Sequence, residues 1–483
     1  MTIMKHITLT LAVLILSIAT FATDFLTSSP EEAVTLLNKA DAGDRILLKD
    51  GVYNNAIIQF ANTRGTKEKP VWFMAQTPGK VSFEGNSTLA FAGNYLIIAG
   101  FTWKNGGKGL KERSVISFRA GKQDAMYSTV QDCVIDDYNN DSLNTDNKWV
   151  SLFGQHNVLT RCLLKSKRNL GATVTVWLQP GVPARHLISY NYFLNRFNGP
   201  DADNGLESIR IGDSKTSFTE AHCIVAFNRF EACDGEIEII SNKSCHNSYL
   251  HNTFVESDGG LTLRHGNDCL CDGNFFDGTN KKLSYGIRFI GEGHAAINNY
   301  FYNLQGAPRQ SFRAPVTLVN GLENTPINGY FQVRRAMISD NVFVNCDMPA
   351  IRIGVFSKRP GMTMGPDTVT INNNIIWDDA GKKGAVYESI TAAAHADIQD
   401  NKVFGRSLEA TEKGFIASDK KDINRSADSR WNYTGKMLIA IKSTAPAVTT
   451  AGADWVEPAI QRATQGSKYT YLKAAQAGPA WKY

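Results

Sequence analysis

From Asp44 to about Gly405 the chain alternates short apolar runs with Gly, Asn and Asp and shows almost no helical periodicity. One stretch before it reads as a helix. Ser29-Pro30-Glu31-Glu32 sets a serine N-cap, a proline at the first helical position and a glutamate three residues after the cap. Ala33 to Ala40 carries the amphipathic pattern on, and Gly43 ends it. Everything after that predicts strands and turns.

The strands repeat. Asn-x-Phe units stand at Asn191, Asn228, Asn252, Asn274, Asn299 and Asn341, with weaker echoes at Asp132, Arg161, Asn374 and Asn401. The tightest spacings are about 22 to 25 residues, and the longer ones read as the same unit with a loop inserted. Leucine-rich repeats share that length but need an L-x-x-L-x-L pattern, which is absent. Short strands with Asn at a turn predict an all-β fold, a right-handed parallel β-helix with Asn and Phe stacked in columns.

A second column runs through Gly205–Gly212, Gly235–Ser241, Gly260–Arg264, Gly286–Gly291 and Ala350–Gly354. Apolar and charged residues alternate there, so one face packs inward and the other presents Arg, Glu and Lys. Such a charged sheet suits a linear polymer.

Composition adds little to this. Lys and Arg total 51 against 46 Asp and Glu, an excess too small to argue for nucleic acid but suited to an acidic ligand if focused in a groove. Lys5, the apolar run Ile7–Ile18 and Thr20-Phe21-Ala22 read as a secretory signal peptide over residues 1–22, which places the mature chain outside the cytoplasm, periplasmic or released. No other segment is long and apolar enough for a membrane span. The eight cysteines follow no zinc-like spacing and read as core thiols. Residues 23–405 are assigned to the β-helix. Residues 406–483, with a β-like run at Met437–Ile441 and a helical one at Glu457–Thr464, are assigned to a segment covering its open end.

The chemistry concentrates between Gly235 and Gly266. In an extended strand Glu236 and Glu238 share a face, with carboxylates roughly 7 Å apart. An outward acid pair reads as a solvated charge row, as a hydrolase acid and base, or as ligands for a hard cation such as Ca²⁺, with Asn204 available to add an amide oxygen. Lys243 and Arg264 favour the last. A lysine beside a cation and a guanidinium has its charged form disfavoured and can serve as a base. A bound cation would stabilise the charge that develops on a uronate carboxylate when its α-carbon loses a proton.

Glu236-Ile237-Glu238, Ser241-Asn242-Lys243-Ser244, Leu263-Arg264-His265-Gly266 and Gly286 to His294 resemble polysaccharide lyase family six, the β-helical alginate lyases and chondroitinase B. The resemblance covers roughly residues 27–405. It implies Ca²⁺ held by Asn204, Glu236 and Glu238, Lys243 as the base at C5, and Arg264 as the acid or acid-assisting cation at the leaving oxygen. It also implies substrate contacts from Arg288 and His294, with His265 and Glu292 in the same motifs as further candidates. The expected substrate is an acidic polysaccharide, alginate cut at mannuronate-containing bonds. Larger members carry a second β-helix where this sequence holds one; an open-ended groove would favour internal cleavage, and the sequence leaves internal and end-wise cleavage both open. Dermatan sulfate cleavage, for which Arg210, Arg288 and Arg352 could supply cations, a β-helical glycoside hydrolase and a non-catalytic carbohydrate binder are the alternatives.

Overall fold

The computed structural model describes residues 23–110, 114–199, 204–306, 312–356, 360–379, 381, 384–419, 424–425, 431–432, 471–479 and 481. The leader, the Met437–Ile441 run and the Glu457–Thr464 helix lie outside them. The helix expected near the start runs Pro30–Leu37, with Ser29 Oγ accepting the Glu32 N–H at 3.3 Å. It closes the first coil, burying Ala33 and Leu37. Among the described residues no helix is long and apolar enough to cross a membrane.

Three sheets of 14 strands, almost wholly parallel, wind round one axis as a right-handed β-helix. One coil shows the plan: Ile224–Ala226 in the first sheet, Arg229–Cys233 in the second and Glu238–Lys243 in the third, then back to the first at Ser248–Leu250. The turn from the first sheet to the second holds the repeated asparagine. Asn191, Asn228, Asn252, Asn274, Asn299, Asn341, Asn374 and Asn401 are fully buried. From Asn191 to Asn374 each Nδ2 donates to the Oδ1 of the next at 2.8–3.0 Å. A buried amide that is fully bonded on both sides fixes the register of every coil. Behind it Phe193, Phe230, Phe254, Phe276, Phe301 and Phe343 stack with centroids 4.5–5.0 Å apart. The second sheet runs past Gly405 to a last strand at Phe415–Ala417. All eight cysteines are buried free thiols.

A second column precedes the first-sheet strands, and it holds His294. Asn157, His186, Asn247 and His294 each accept a backbone N–H of the preceding coil, from Ser128, Asn157, Cys223 and Cys269. Burial drives the His186 pKa down to about 3 and that of His294 to about 4. Both histidines are therefore neutral when folded and take a proton on unfolding once the pH falls below about 6.5. Their contribution is whole above that value and is lost as the pH falls towards 4, at about 1.4 kcal/mol per histidine per pH unit. His294→Asn, which keeps an acceptor, is expected to flatten the fall in melting temperature between pH 6.5 and pH 4.5, and a slope equal to wild type would refute this.

The described end of the chain does not cap the last coil. Tyr471–Gly478 instead runs along the outside of the helix towards the N-terminal coils. Leu472 is fully buried against Val158, Leu187, Tyr190, Ala226 and Phe227, and Arg229 donates to its carbonyl. Further on, Gly478 N–H reaches the Tyr190 carbonyl at 2.8 Å and Trp481 Nε1 that of Asp132 at 3.1 Å. This strap covers apolar side chains that point out of the first and second sheets. Leu472→Ala is expected to lose about 2–4 kcal/mol in denaturant unfolding, and a loss well under 1 kcal/mol would show that the strap is dispensable.

Candidate active site on the third sheet

The site lies on the outer face of the third sheet. Inward positions there are apolar: Ile209 and Ile211, Leu261 and Leu263, Ile287 and Phe289 are fully buried. The outward row in register reads Thr175, Arg210, Ser241, Thr262, Arg288, Thr317, Arg352.

Two irregularities shape it. Glu238 pairs with Gly260 and Ile240 with Leu261, so Ile239 is an extra residue on the strand that begins at Glu238. Glu236 lies in the bend before that strand and not on it, which corrects the expectation of a simple alternating pair. Further along, Asn242 pairs with Leu263 and Lys243 with His265, which leaves Arg264 as the extra residue of its own strand. A bulge re-aims the side chain it inserts. Arg264 is thereby turned to the wall of the groove, where its Nη1 donates to the Gly329 carbonyl at 2.9 Å and its guanidinium lies 4.3 Å from the Tyr330 ring centre.

Lys243 is half-buried at the end of its strand, with no ion pair or hydrogen bond among the described residues. His265 sits beneath the pair, 2 % exposed, its Nδ1 3.4 Å from Arg264 Nη1. Burial, with Arg264 and Lys243 nearby, drives its pKa down to about 3. It supports the two cations from below and does not face the groove.

Glu236 and Glu238 are both buried, at 6 % and 9 % exposure. A third carboxylate joins them that sequence reasoning did not single out: Glu207, 1 % exposed, with Oε2 buried and unpartnered. Burial first, then the Glu207 and Glu238 charges, push the Glu236 carboxyl well above the usual carboxylate range. Lys243, and after it Arg196, itself buried and donating to four loop carbonyls, only partly offset them. The register that pairs Ile209 with Ile240 was the available signal, because it sets Glu207 on the coil beside Glu238.

These carboxylates are neighbours by charge. Among the described residues they do not form a closed cage of three acidic ligands. They are nonetheless suited to a hard divalent cation, since a buried oxygen without a donor and a carboxyl raised by like charges both gain from one. Asn204 is exposed in the bend before Gly205, next to residues outside those described, and no contact ties it to the glutamates.

Three expected substrate contacts are engaged by other groups of the protein. Arg288 is 4 % exposed and ion-paired with Glu238, so its charge is already matched. His294 is fully buried, its Nε2 on the Ile290 carbonyl at 3.0 Å, and serves the column described above. Glu292 lies on the outer turn, 3.5 Å from Arg335 and 4.0 Å from Arg334.

One outer face of this β-helix thus carries the buried carboxylates, Lys243 and the re-aimed Arg264. The family model described as Chondroitinase B matches residues 27–437, and the chain belongs to this family, polysaccharide lyase family six. Similar solved structures include the PL6 family alginate lyase AlyGC, at 33% identity and TM-score 0.77, covering 86% of this chain and 56% of that one. Another is a mannuronic acid specific family 6 lyase from human gut microbiota, at 28% identity and TM-score 0.72, covering 82% and 91%. A third is the PL6 lyase Pedsa3628 from Pseudopedobacter saltans, at 25% identity and TM-score 0.69, covering 95% and 99%. The chain thus spans little more than half the length of AlyGC. No curated protein matches it.

Proposed function

We propose that this protein is a Ca²⁺-dependent lyase that cleaves alginate at mannuronate-containing bonds by β-elimination. The observation that carries the reading is the placing of Lys243 and the bulged Arg264 on neighbouring strands of one outer face, beside the Glu207, Glu236 and Glu238 carboxylates. Lys243 Nζ takes the proton from C5 of a uronate. The electron pair left behind forms the C4=C5 double bond, and the bond from C4 to the glycosidic oxygen breaks. Arg264 meets that oxygen as acid or acid-assisting cation. Glu236 and Glu238, with Asn204 by family resemblance, would hold the cation, and Glu207 extends the acidic cluster. When bound, Ca²⁺ would offset the charge developing on the uronate carboxylate.

Among the described residues Lys243 makes no ion pair or side-chain hydrogen bond, which leaves its Nζ free to meet a substrate. The mannuronate preference is supported by the likeness to the gut lyase, which is mannuronic acid specific. Extracellular location remains the reading of residues 1–22. Dermatan sulfate is the weaker reading, because two of the three arginines that could meet sulfate, Arg288 and Arg352, are already matched by Glu238 and Glu388.

The test is incubation with polymannuronate, polyguluronate and dermatan sulfate, with and without chelator, following the ultraviolet absorbance of the new double bond. Fast, chelator-sensitive absorbance on polymannuronate is expected. New reducing ends without that absorbance would mean hydrolysis and overturn the reading.

A further inference from the structure

Of the three arginines in the outward row of the third sheet, Arg288 and Arg352 have acidic partners, and Arg210 has none among the described residues. Its Nε is buried without a hydrogen-bond partner. The same holds for Thr175 Oγ1 and Ser241 Oγ, its register neighbours on either side. Three successive coils thus carry an unsatisfied polar atom at the same position. Buried polar groups are usually bonded, so a row of exceptions points to something that completes it.

One step along the strands stands an aromatic group. Val176, Ile211 and Asn242 are register partners, so the residues that follow them, Trp177, Gly212 and Lys243, succeed one another along the axis. Trp177 is braced from behind by Phe153, stacked at 6.0 Å, and its Nε1 is tied to Ser151 Oγ at 3.1 Å. Arg210 lies 5.5 Å from its ring centre. On the other side comes Gly212, at φ +77°, where a Cβ would stand 2.7 Å from the Lys243 carbonyl. That position cannot carry a side chain, since a Cβ there would also meet Thr216 Oγ1 at 2.9 Å and Leu178 Cδ1 at 3.0 Å, and these two side chains line the step between the indole and the lysine, which are two strand spacings apart, about 10 Å.

We propose that Trp177 and Arg210, with Thr175 and Ser241 beneath them, form a uronate-binding subsite on the N-terminal side of Lys243. The indole would take the C–H face of a sugar ring and the guanidinium its carboxylate. The subsite rests on the lyase reading for its substrate class. It sets where a bound chain lies relative to the base and belongs to positioning, outside the bond-breaking step.

The measurement is calorimetric titration of mannuronate oligosaccharides into the Lys243→Ala protein, which binds without cleaving, with tryptophan fluorescence as a second readout. Adding Trp177→Ala or Arg210→Gln is expected to weaken binding about tenfold, and Trp177→Phe to restore most of it. In the active enzyme the same changes should raise KM with little loss of kcat. A neutral mannan should bind equally weakly to the parent and to the Arg210→Gln protein. Affinities within about twofold of the parent for both variants, with fluorescence quenching unchanged by Trp177→Phe, would overturn the subsite. Should Trp177→Ala fail to fold, Arg210→Gln and the quenching decide by themselves. A wild type that releases no unsaturated product from any uronate polymer would sink the lyase reading, and the titration would still decide on the subsite.

Discussion

Lys243→Ala is expected to lower kcat on polymannuronate by about 10³-fold while leaving oligosaccharide affinity nearly unchanged, since a positioned general base contributes roughly 10²–10⁴. The fold should be untouched. Lys243 is half-buried, holds no ion pair or hydrogen bond among the described residues, and stands at the end of its strand, so its removal costs little packing. Circular dichroism and the melting temperature serve as controls. Retention of most of the activity would show that another group takes the proton. Arg264 would then need a different reading too, because its role depends on facing the same bond from the neighbouring strand.

That pair illustrates how far the sequence could be read. The repeat was legible because each coil needs an amide at one turn and an aromatic ring behind it, and the buried ladder from Asn191 to Asn401 stands where the Asn-x-Phe spacing puts it. The neighbourhood of Glu238, Lys243 and Arg264 followed from the same spacing. What alternation could not supply was the bulges at Ile239 and Arg264, since an inserted residue leaves no mark in a period-two pattern. The turn-column role of His294 was hidden for another reason. A histidine after Gly-x-Gly looks like a site residue, and only its position directly before a first-sheet strand, equivalent to that of Asn247, shows that it bonds backbone. Arg288 was placed on the correct face, but its partner Glu238 lies two coils away, and pair energetics across coils depend on side-chain reach that a sequence does not give. The outside strap at Tyr471–Gly478 left no mark in the sequence, because it needs only apolar and small residues at intervals, as at Leu472 and Ala477.

Removal of divalent cation is expected to abolish activity, with Ca²⁺ restoring it better than Mg²⁺, whose stricter octahedral geometry suits a loose oxygen set less well. The carboxylates should divide in their effects. Glu236→Gln takes away one ligand but replaces a buried carboxyl, already disfavoured as a charge, by a neutral amide of the same shape, so the cation-free protein should be no less stable, whereas the rise in melting temperature on adding Ca²⁺ should shrink. Glu238→Gln removes a ligand as well, but it also leaves Arg288 buried without its counter-ion, at a cost of about 3–5 kcal/mol with or without metal. Scanning fluorimetry of both variants in chelator and in Ca²⁺ separates the two contributions. Equal behaviour in chelator would mean that the Arg288 pair contributes nothing to the fold. Full activity after exhaustive chelation, with no thermal shift on adding Ca²⁺, would remove the cation from the mechanism and leave the three carboxylates with a structural role only.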